Sequence, residues 1–162
     1  MDAAYRKQQT NLLFSGMAVI AFGLWSAVKL ITFMTMNPEQ VMEMLNYKEI
    51  PEINFKLVLI LVIVIIVFFS LLLHFYIGVS AIRDAREKKK RRLPYIIVSA
   101  FYIVLLLMGS GQTMANLFRA SDETHWFSTF VIDMTSVMAL VIIIVSSSKM
   151  KKMRKLQEAA GD

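Results

Sequence analysis

The chain of 162 residues contains no cysteine and only two histidines. The absence of cysteine excludes disulfides, thiol redox chemistry, CxxC metal sites and palmitoylation. The sequence also has no glycine-rich phosphate loop, no nucleophile elbow and no HExxH zinc motif. Two histidines and a single buried carboxylate cannot supply a closed zinc or iron shell. We therefore predict a protein that is not an enzyme, with no catalytic residues, no bound metal and no cofactor.

Charged residues make up only 19% of the chain, whereas 57% is hydrophobic and the mean hydropathy is +0.57. This composition is typical of a membrane protein. The net charge of +6 is unevenly placed, because fourteen of the eighteen lysines and arginines lie in three stretches at the ends of apolar segments. No basic stripe is interleaved with exposed aromatic residues, so no nucleic-acid partner is predicted.

Four apolar segments are long enough to cross roughly 30 Å of hydrocarbon as helices. They cover about residues 11–36, 54–82, 94–118 and 126–148. The first is too long for a signal-peptide core and has no small-residue cleavage site, so we expect an uncleaved span. The sequence thus predicts one all-α transmembrane domain over residues 1–162, folded as a four-helix bundle. In the cytoplasmic tail, 149–162, Lys149 to Leu156 are expected to extend the fourth helix, and the residues from Glu158 to Asp162 are expected to be frayed.

Seven basic residues fall within ten positions, between Arg83 and Arg92 in the turn 83–93. Because loops rich in lysine and arginine stay in the cytoplasm, this turn predicts the orientation of the bundle. The pair Arg6 and Lys7 and the basic tail agree with it, so both termini are predicted to be cytoplasmic. Headgroup contact with anionic lipids is predicted for the residues Arg86, Lys88, Lys89, Lys90, Arg91 and Arg92.

The outer segment between the first two spans carries helix signals of its own. Asn37, Pro38 and Glu39 are typical of a capped helix N-terminus. The apolar residues that follow lie on one face, and Pro51 ends the pattern. We expect a short helix on the outer surface, which is either a lid over the bundle or a connector with an apolar side.

Ionisable residues inside spans are costly and often functional. Lys29 and Asp133 each lie about seven residues from the outer end of their span, roughly 10 Å deep at 1.5 Å per residue. Equal depth and opposite charge predict an ion pair, which is either a functional site or purely architectural. Alternatively, Lys29 snorkels alone and Asp133 is satisfied by neighbouring hydroxyl and amide groups. The predicted ligand or ion pocket consists of Lys29, Asp133, Gln112, Thr113 and Asn116.

A second polar layer is predicted nearer the cytoplasmic side. His74 and Tyr102 each lie about eight residues from the inner end of their span, with Ser99 within a turn. A histidine among hydroxyl groups can carry protons, and it can equally make one neutral interhelical hydrogen bond. The segments between this layer and the outer pocket are almost wholly apolar, which disfavours an ion path through a single static copy.

Small residues indicate where helices approach closely. Gly16, Gly23 and Ala27 fall on one stripe of the first span, which favours tight packing. In the third span, Gly109 and Gly111 flank a serine, which is consistent with either close packing or a local break in the helix.

Two functions are consistent with these features. The first is a non-catalytic binding, regulatory or interaction subunit with a polar pocket near the outer face. The second is a small transporter or oligomeric channel component that uses Lys29, Asp133 and His74. Either one implies a homo-oligomer or a larger membrane partner. The absence of cysteine and of N-x-Ser/Thr sites favours a bacterial plasma membrane.

Overall fold

The computed structural model describes residues 2–36, 52–86, 94–117 and 123–160, and every one of them is helical. The four helices are α1 (Asp2–Met36), α2 (Glu52–Arg86), α3 (Pro94–Leu117) and α4 (Glu123–Ala160). The side chains of 111–117 and 123–129 lie outside this description. The prediction of an all-α fold with four main helices is confirmed over these ranges.

Three of the helices are long and apolar enough to cross a membrane, over Ala3–Thr32, Ile60–Arg86 and Phe130–Ala159. In α3 the described apolar stretch is shorter, Pro94–Ser110. These lengths identify a membrane protein, because soluble helices rarely carry apolar runs of this extent.

The helices are longer than the predicted spans at several ends. α1 already begins at Asp2, and α4 continues to Ala160, which confirms that the tail extends the fourth helix. Arg83 and Arg86 are helical and belong to α2, not to the turn. The rest of the basic turn, residues 87–93, lies outside the described residues. So does the whole of the predicted outer surface helix, which is expected to end before Pro51.

Contacts between the helices follow the chain order around the bundle. α1 packs along both α2 and α4, and α3 packs along α4, whereas α2 and α3 meet over a short stretch. The polarity is reversed relative to a soluble bundle. Many large apolar side chains are exposed, such as those of Phe69, Ile97 and Met108, while serines, His74 and Asp84 are buried. This distribution suits a bundle that is surrounded by lipid, where polar groups are satisfied between helices.

The tightest contact lies between α1 and α2 and depends on glycine. A Cβ atom at Gly78 would lie 2.6 Å from the backbone oxygen of Gly16 and 2.5 Å from Cγ1 of Ile20. A Cβ atom at Gly23 would lie 2.5 Å from Cβ and Cγ of His74. Both predicted glycines of the α1 stripe therefore face α2, where they let the two backbones approach closely.

The glycines of α3 behave differently. The helix is continuous through Gly109 and Gly111, so the local break that the sequence allowed is not present. A Cβ atom at Gly109 would meet nothing within 4 Å, so close helix packing does not explain this glycine within the described part of the chain.

Candidate functional site

Two polar clusters lie inside the bundle, and each takes residues from all four helices. The first, which we call the Asp133 layer, consists of Lys29, His74, Tyr102 and Asp133. The second, which we call the Asp84 clamp, lies where α1 and α3 begin and where α2 and α4 approach their ends. It consists of the residues Tyr5, Gln9, Asp84, Tyr95, Ser147 and Arg154.

Lys29 and Asp133 face each other across the contact between α1 and α4. Nζ of Lys29 lies 3.9 Å from Oδ1 of Asp133, and their side chains are 30% and 18% exposed. The structure thus brings the predicted pair together. The separation exceeds a direct hydrogen bond, so the two charges compensate each other without being locked. A loosely held, partly exposed pair leaves each charge able to interact with a third group.

His74 and Tyr102 join α2 to α3. Nδ1 of His74 lies 2.7 Å from the carbonyl oxygen of Ser70, which can only accept, so Nδ1 carries the proton. Nε2 therefore accepts, and the Tyr102 hydroxyl donates to it over 3.0 Å. The two rings meet edge to face with centroids 5.0 Å apart. His74 is 2% exposed, and a neutral ring with its proton on Nδ1 satisfies both contacts.

The two pairs of the Asp133 layer together take one residue from each helix. Lys29 and Asp133 face each other between α1 and α4, and Tyr102 of α3 bonds to His74 of α2. The sequence predicts these pairs in separate layers with an apolar belt between them.

The other predicted site residues are placed less tightly. Ser99 is fully buried, but its hydroxyl donates to the carbonyl of Tyr95 on its own helix, over 2.7 Å, and not to His74. Arg86 is exposed at the end of α2. Three pocket residues have a described backbone in α3 but no described side chain, namely Gln112, Thr113 and Asn116. The remaining headgroup residues lie outside the described ranges, namely Lys88, Lys89, Lys90, Arg91 and Arg92.

Asp84 is the centre of the clamp and is only 4% exposed. Oδ2 accepts from the Tyr95 hydroxyl over 2.7 Å and from the Ser147 hydroxyl over 3.1 Å. Oδ1 accepts from Nη1 of Arg154 over 3.2 Å. The carboxylate therefore joins α2 to α3 and α4 with three donors, one of them charged. Charge-assisted bonds of this kind are stronger than neutral ones.

Arg154 extends the clamp to α1. Its Nε donates to the Tyr5 hydroxyl over 3.0 Å, and the guanidinium carbon lies 5.9 Å from the centre of the Tyr5 ring. Nη2 donates to the backbone oxygen of Asp84 over 3.1 Å. Nearby, Nε2 of Gln9 donates to the backbone oxygen of Ala85 over 3.0 Å. The first turns of α1 are thereby fixed to both α2 and α4.

Sequence reasoning missed the clamp. Arg154 is one of five cations in the tail, and no residue pattern shows that it alone turns inward. One signal was available, because Asp84 is an acidic residue directly after Arg83 at the end of an apolar span. A carboxylate at the end of an apolar span is costly unless a cation compensates its charge. Several lysines and arginines lie at the same ends of the predicted helices.

Protein-family models, curated proteins and solved structures were compared with the chain, and none matches it. Its function is therefore inferred from the two polar clusters, the apolar surface and the distribution of charge.

Proposed function

We propose that the chain is a non-catalytic subunit of a membrane assembly, a four-span bundle that serves binding, regulation or interaction. One observation carries this proposal. Within the described part of the chain, every fully buried side-chain nitrogen and oxygen has a hydrogen-bond partner. Asp84 is used by internal donors, and the His74 ring nitrogens are both engaged. A catalytic group normally keeps an atom open for its substrate, so this interior is suited to holding helices together.

The four-span arrangement with both termini in the cytoplasm is supported by the Asp84 clamp and the positive-inside rule. α1 and α3 begin, and α2 and α4 approach their ends, at the clamp, so the helices alternate in direction. α3 has 24 residues, roughly 36 Å at 1.5 Å per residue, enough for one crossing. The basic residues gather at the clamp end, which favours the cytoplasmic side. A bacterial plasma membrane and the outer surface helix remain part of this proposal.

The partners proposed are lipid and protein. The basic turn contacts anionic headgroups, and the apolar outer surface suits a second copy or a larger membrane partner. Exposed aromatic side chains on α2, such as Phe68 and Phe69, would contribute most of the area at such an interface. The Asp133 layer, with the amide and hydroxyl side chains of Gln112, Thr113 and Asn116, would bind a small polar ligand near the outer face.

Native mass spectrometry of the protein, extracted gently from its own membrane, tests the subunit proposal. We expect a complex of fixed stoichiometry, either with a second polypeptide or between copies of this chain. Reporter fusions at Met1, in the segment 37–51 and at Asp162 test the orientation in parallel, and the two termini should report the cytoplasm. A monomer under every extraction condition, with reporters in the expected orientation, would contradict the subunit proposal alone.

A transporter or channel component is the second candidate, and the Asp133 layer favours it. Lys29 and Asp133 are separated by 3.9 Å and remain partly exposed, and Tyr102 of α3 bonds to the buried His74 of α2. Proton relays in membrane proteins are built from buried carboxylates and histidines of this kind.

Proton flux into vesicles separates the two candidates. Purified protein is reconstituted with an internal pH-sensitive dye, and an inward proton gradient is applied under a fixed membrane potential. The subunit proposal expects acidification no faster than in protein-free vesicles. A transporter would acidify the vesicles at least about tenfold faster than the Asp133→Asn variant, because the layer loses its carboxylate charge. The matched control is Ser136→Ala, since that hydroxyl donates only to Ile132 of its own helix among described residues.

A further inference from the structure

Exposed cations lie next to the residues of the Asp84 clamp along three of the helices, and we call this set the basic collar. Its members come from α1, α2 and α4, and all are exposed. They are Arg6, Lys7, Arg83, Arg86, Lys149, Lys151, Lys152 and Lys155. On α4, Lys152 and Lys155 lie on the side of the helix opposite Met150, which is buried in the bundle.

The charge of the basic collar is not compensated by the described part of the chain. None of the eight side chains forms an ion pair with another described residue. The nearest buried acid, Asp84, is used by Arg154, Tyr95 and Ser147. Eight positive charges with no ion-pair partner among the described residues attract a polyanionic surface.

The Asp84 clamp fixes the helices that carry the collar. Arg154 ties the end of α4 to Tyr5 of α1 and to Asp84 of α2. The cations therefore stand on connected, ordered helices and not on separate frayed ends. A preorganised set of charges binds a multivalent partner better than the same charges on mobile ends, because less ordering accompanies binding.

We propose that the Asp84 clamp organises the basic collar as a docking surface for anionic phospholipid headgroups. Lipid suits the position of the collar, since Arg83 and Arg86 directly continue the apolar span that ends with α2. Polybasic segments next to a span recognise phosphate headgroups through charge. Nucleic acid fits less well, because exposed aromatic side chains such as Phe14 and Tyr76 lie along the apolar parts of the helices. This inference rests on the proposed membrane orientation but not on the subunit function.

The Asp84→Asn variant separates an organised docking surface from simple attraction. This substitution removes one negative charge, so the protein becomes more positive. Simple attraction then predicts equal or tighter binding of anionic lipid. An organised collar predicts weaker binding, because the asparagine side chain offers one neutral carbonyl oxygen in place of a charged carboxylate, and α4 is less firmly held.

The experiment titrates the full-length protein in detergent with phosphatidylglycerol or phosphatidylcholine of identical acyl chains. Native mass spectrometry counts the lipids retained. We expect the wild type to bind phosphatidylglycerol about tenfold more tightly than phosphatidylcholine, given the contribution of each lysine near an anionic surface. The triple variant Lys151→Gln, Lys152→Gln, Lys155→Gln should lose most of this preference. Asp84→Asn should lose about half or more of it, despite its added charge. A preference that is unchanged or larger in Asp84→Asn overturns the role of the clamp.

Tyr5→Phe provides a second variant in case Asp84→Asn does not fold. It keeps all charges and the aromatic ring and removes only the hydroxyl that accepts from Nε of Arg154. We expect a smaller loss of preference, about twofold, with unchanged helix content by circular dichroism. Equal binding of both lipids by the wild type overturns the docking surface itself. The reporter fusions and the native complex are measured independently. Failure of the docking surface can therefore be distinguished from failure of the proposed function.

Discussion

Replacing Asp84 with alanine is expected to lower the free energy of unfolding by about 3–5 kcal/mol, a large fraction of the stability of a typical domain. The variant leaves the half-buried Arg154 without its carboxylate and removes the shared acceptor of Tyr95 and Ser147. Breaking one partner of a buried pair is costly because the remaining charge stays desolvated. Denaturation in detergent micelles, followed by far-UV circular dichroism, measures the change.

A double-variant cycle gives this prediction its control. Asp84→Leu combined with Arg154→Met removes both charges, and we expect it to recover most of the stability lost in Asp84→Leu alone, since neither charge is then left unpaired. Lys152→Met removes a cation from the same helix without touching the clamp, and should change stability by less than about 0.5 kcal/mol. If Asp84→Ala and Lys152→Met cost the same, Asp84 does not hold the bundle together.

The two polar clusters differ in how firmly their charges are held. In the Asp84 clamp, hydrogen bonds of 2.7–3.2 Å engage both carboxylate oxygens. In the Asp133 layer, the charged atoms are 3.9 Å apart and partly exposed. A firmly bonded charge stabilises one arrangement of helices, whereas a loosely paired one can respond to a ligand or a proton. We therefore propose that the clamp stabilises the bundle and that the Asp133 layer contributes to ligand binding.

The helices could be predicted from the sequence because the signal is local. A run such as Leu57 to Phe69 has no polar residue. In lipid, an apolar segment of this kind is expected to be an α-helix, because a helix satisfies its backbone hydrogen bonds within the segment. The meeting of Lys29 with Asp133, and of His74 with Tyr102, was also predictable, because counting residues from the span ends gives depth. The depth of a residue in the membrane thus follows from its position along the span, before the packing of the helices is known.

The rotation of each helix about its axis could not be predicted in the same way. Lipid and protein interior are both apolar, so the apolar residues of α1 and α2 do not mark an inward face. Inward positions depend on small residues and on polar contacts made only after packing. For this reason Asp84 was overlooked beside Arg83, and Arg154 was taken as one more tail cation. The helices also continue beyond the predicted spans, since hydrocarbon thickness limits a span but not the helix that continues into water.

Replacing Gly78 with alanine is expected to destabilise the protein by about 2–3 kcal/mol, although alanine favours helix formation more than glycine does. The new Cβ atom would lie 2.6 Å from the backbone oxygen of Gly16, which cannot move without separating α1 from α2. His74 packs against Gly23 in the same contact, so the hydrogen bond from Tyr102 should also be weakened. The same detergent denaturation measures the stability, and the side-chain ¹⁵N signals of labelled histidine report on His74.

Gly109→Ala is the matched control for this contact, because it makes the same chemical change in another helix. Its Cβ atom would meet no atom of the described part of the chain within 4 Å, so we expect no loss, and a gain of up to about 1 kcal/mol from helix propensity. His125→Asn, made in each background, leaves His74 as the single histidine signal. Its environment should change in Gly78→Ala and stay as in the wild type in Gly109→Ala. Equal stability of the two alanine variants would mean that α1 and α2 do not pack through Gly16 and Gly78, and the position of His74 between α1 and α3 would then have to be revised.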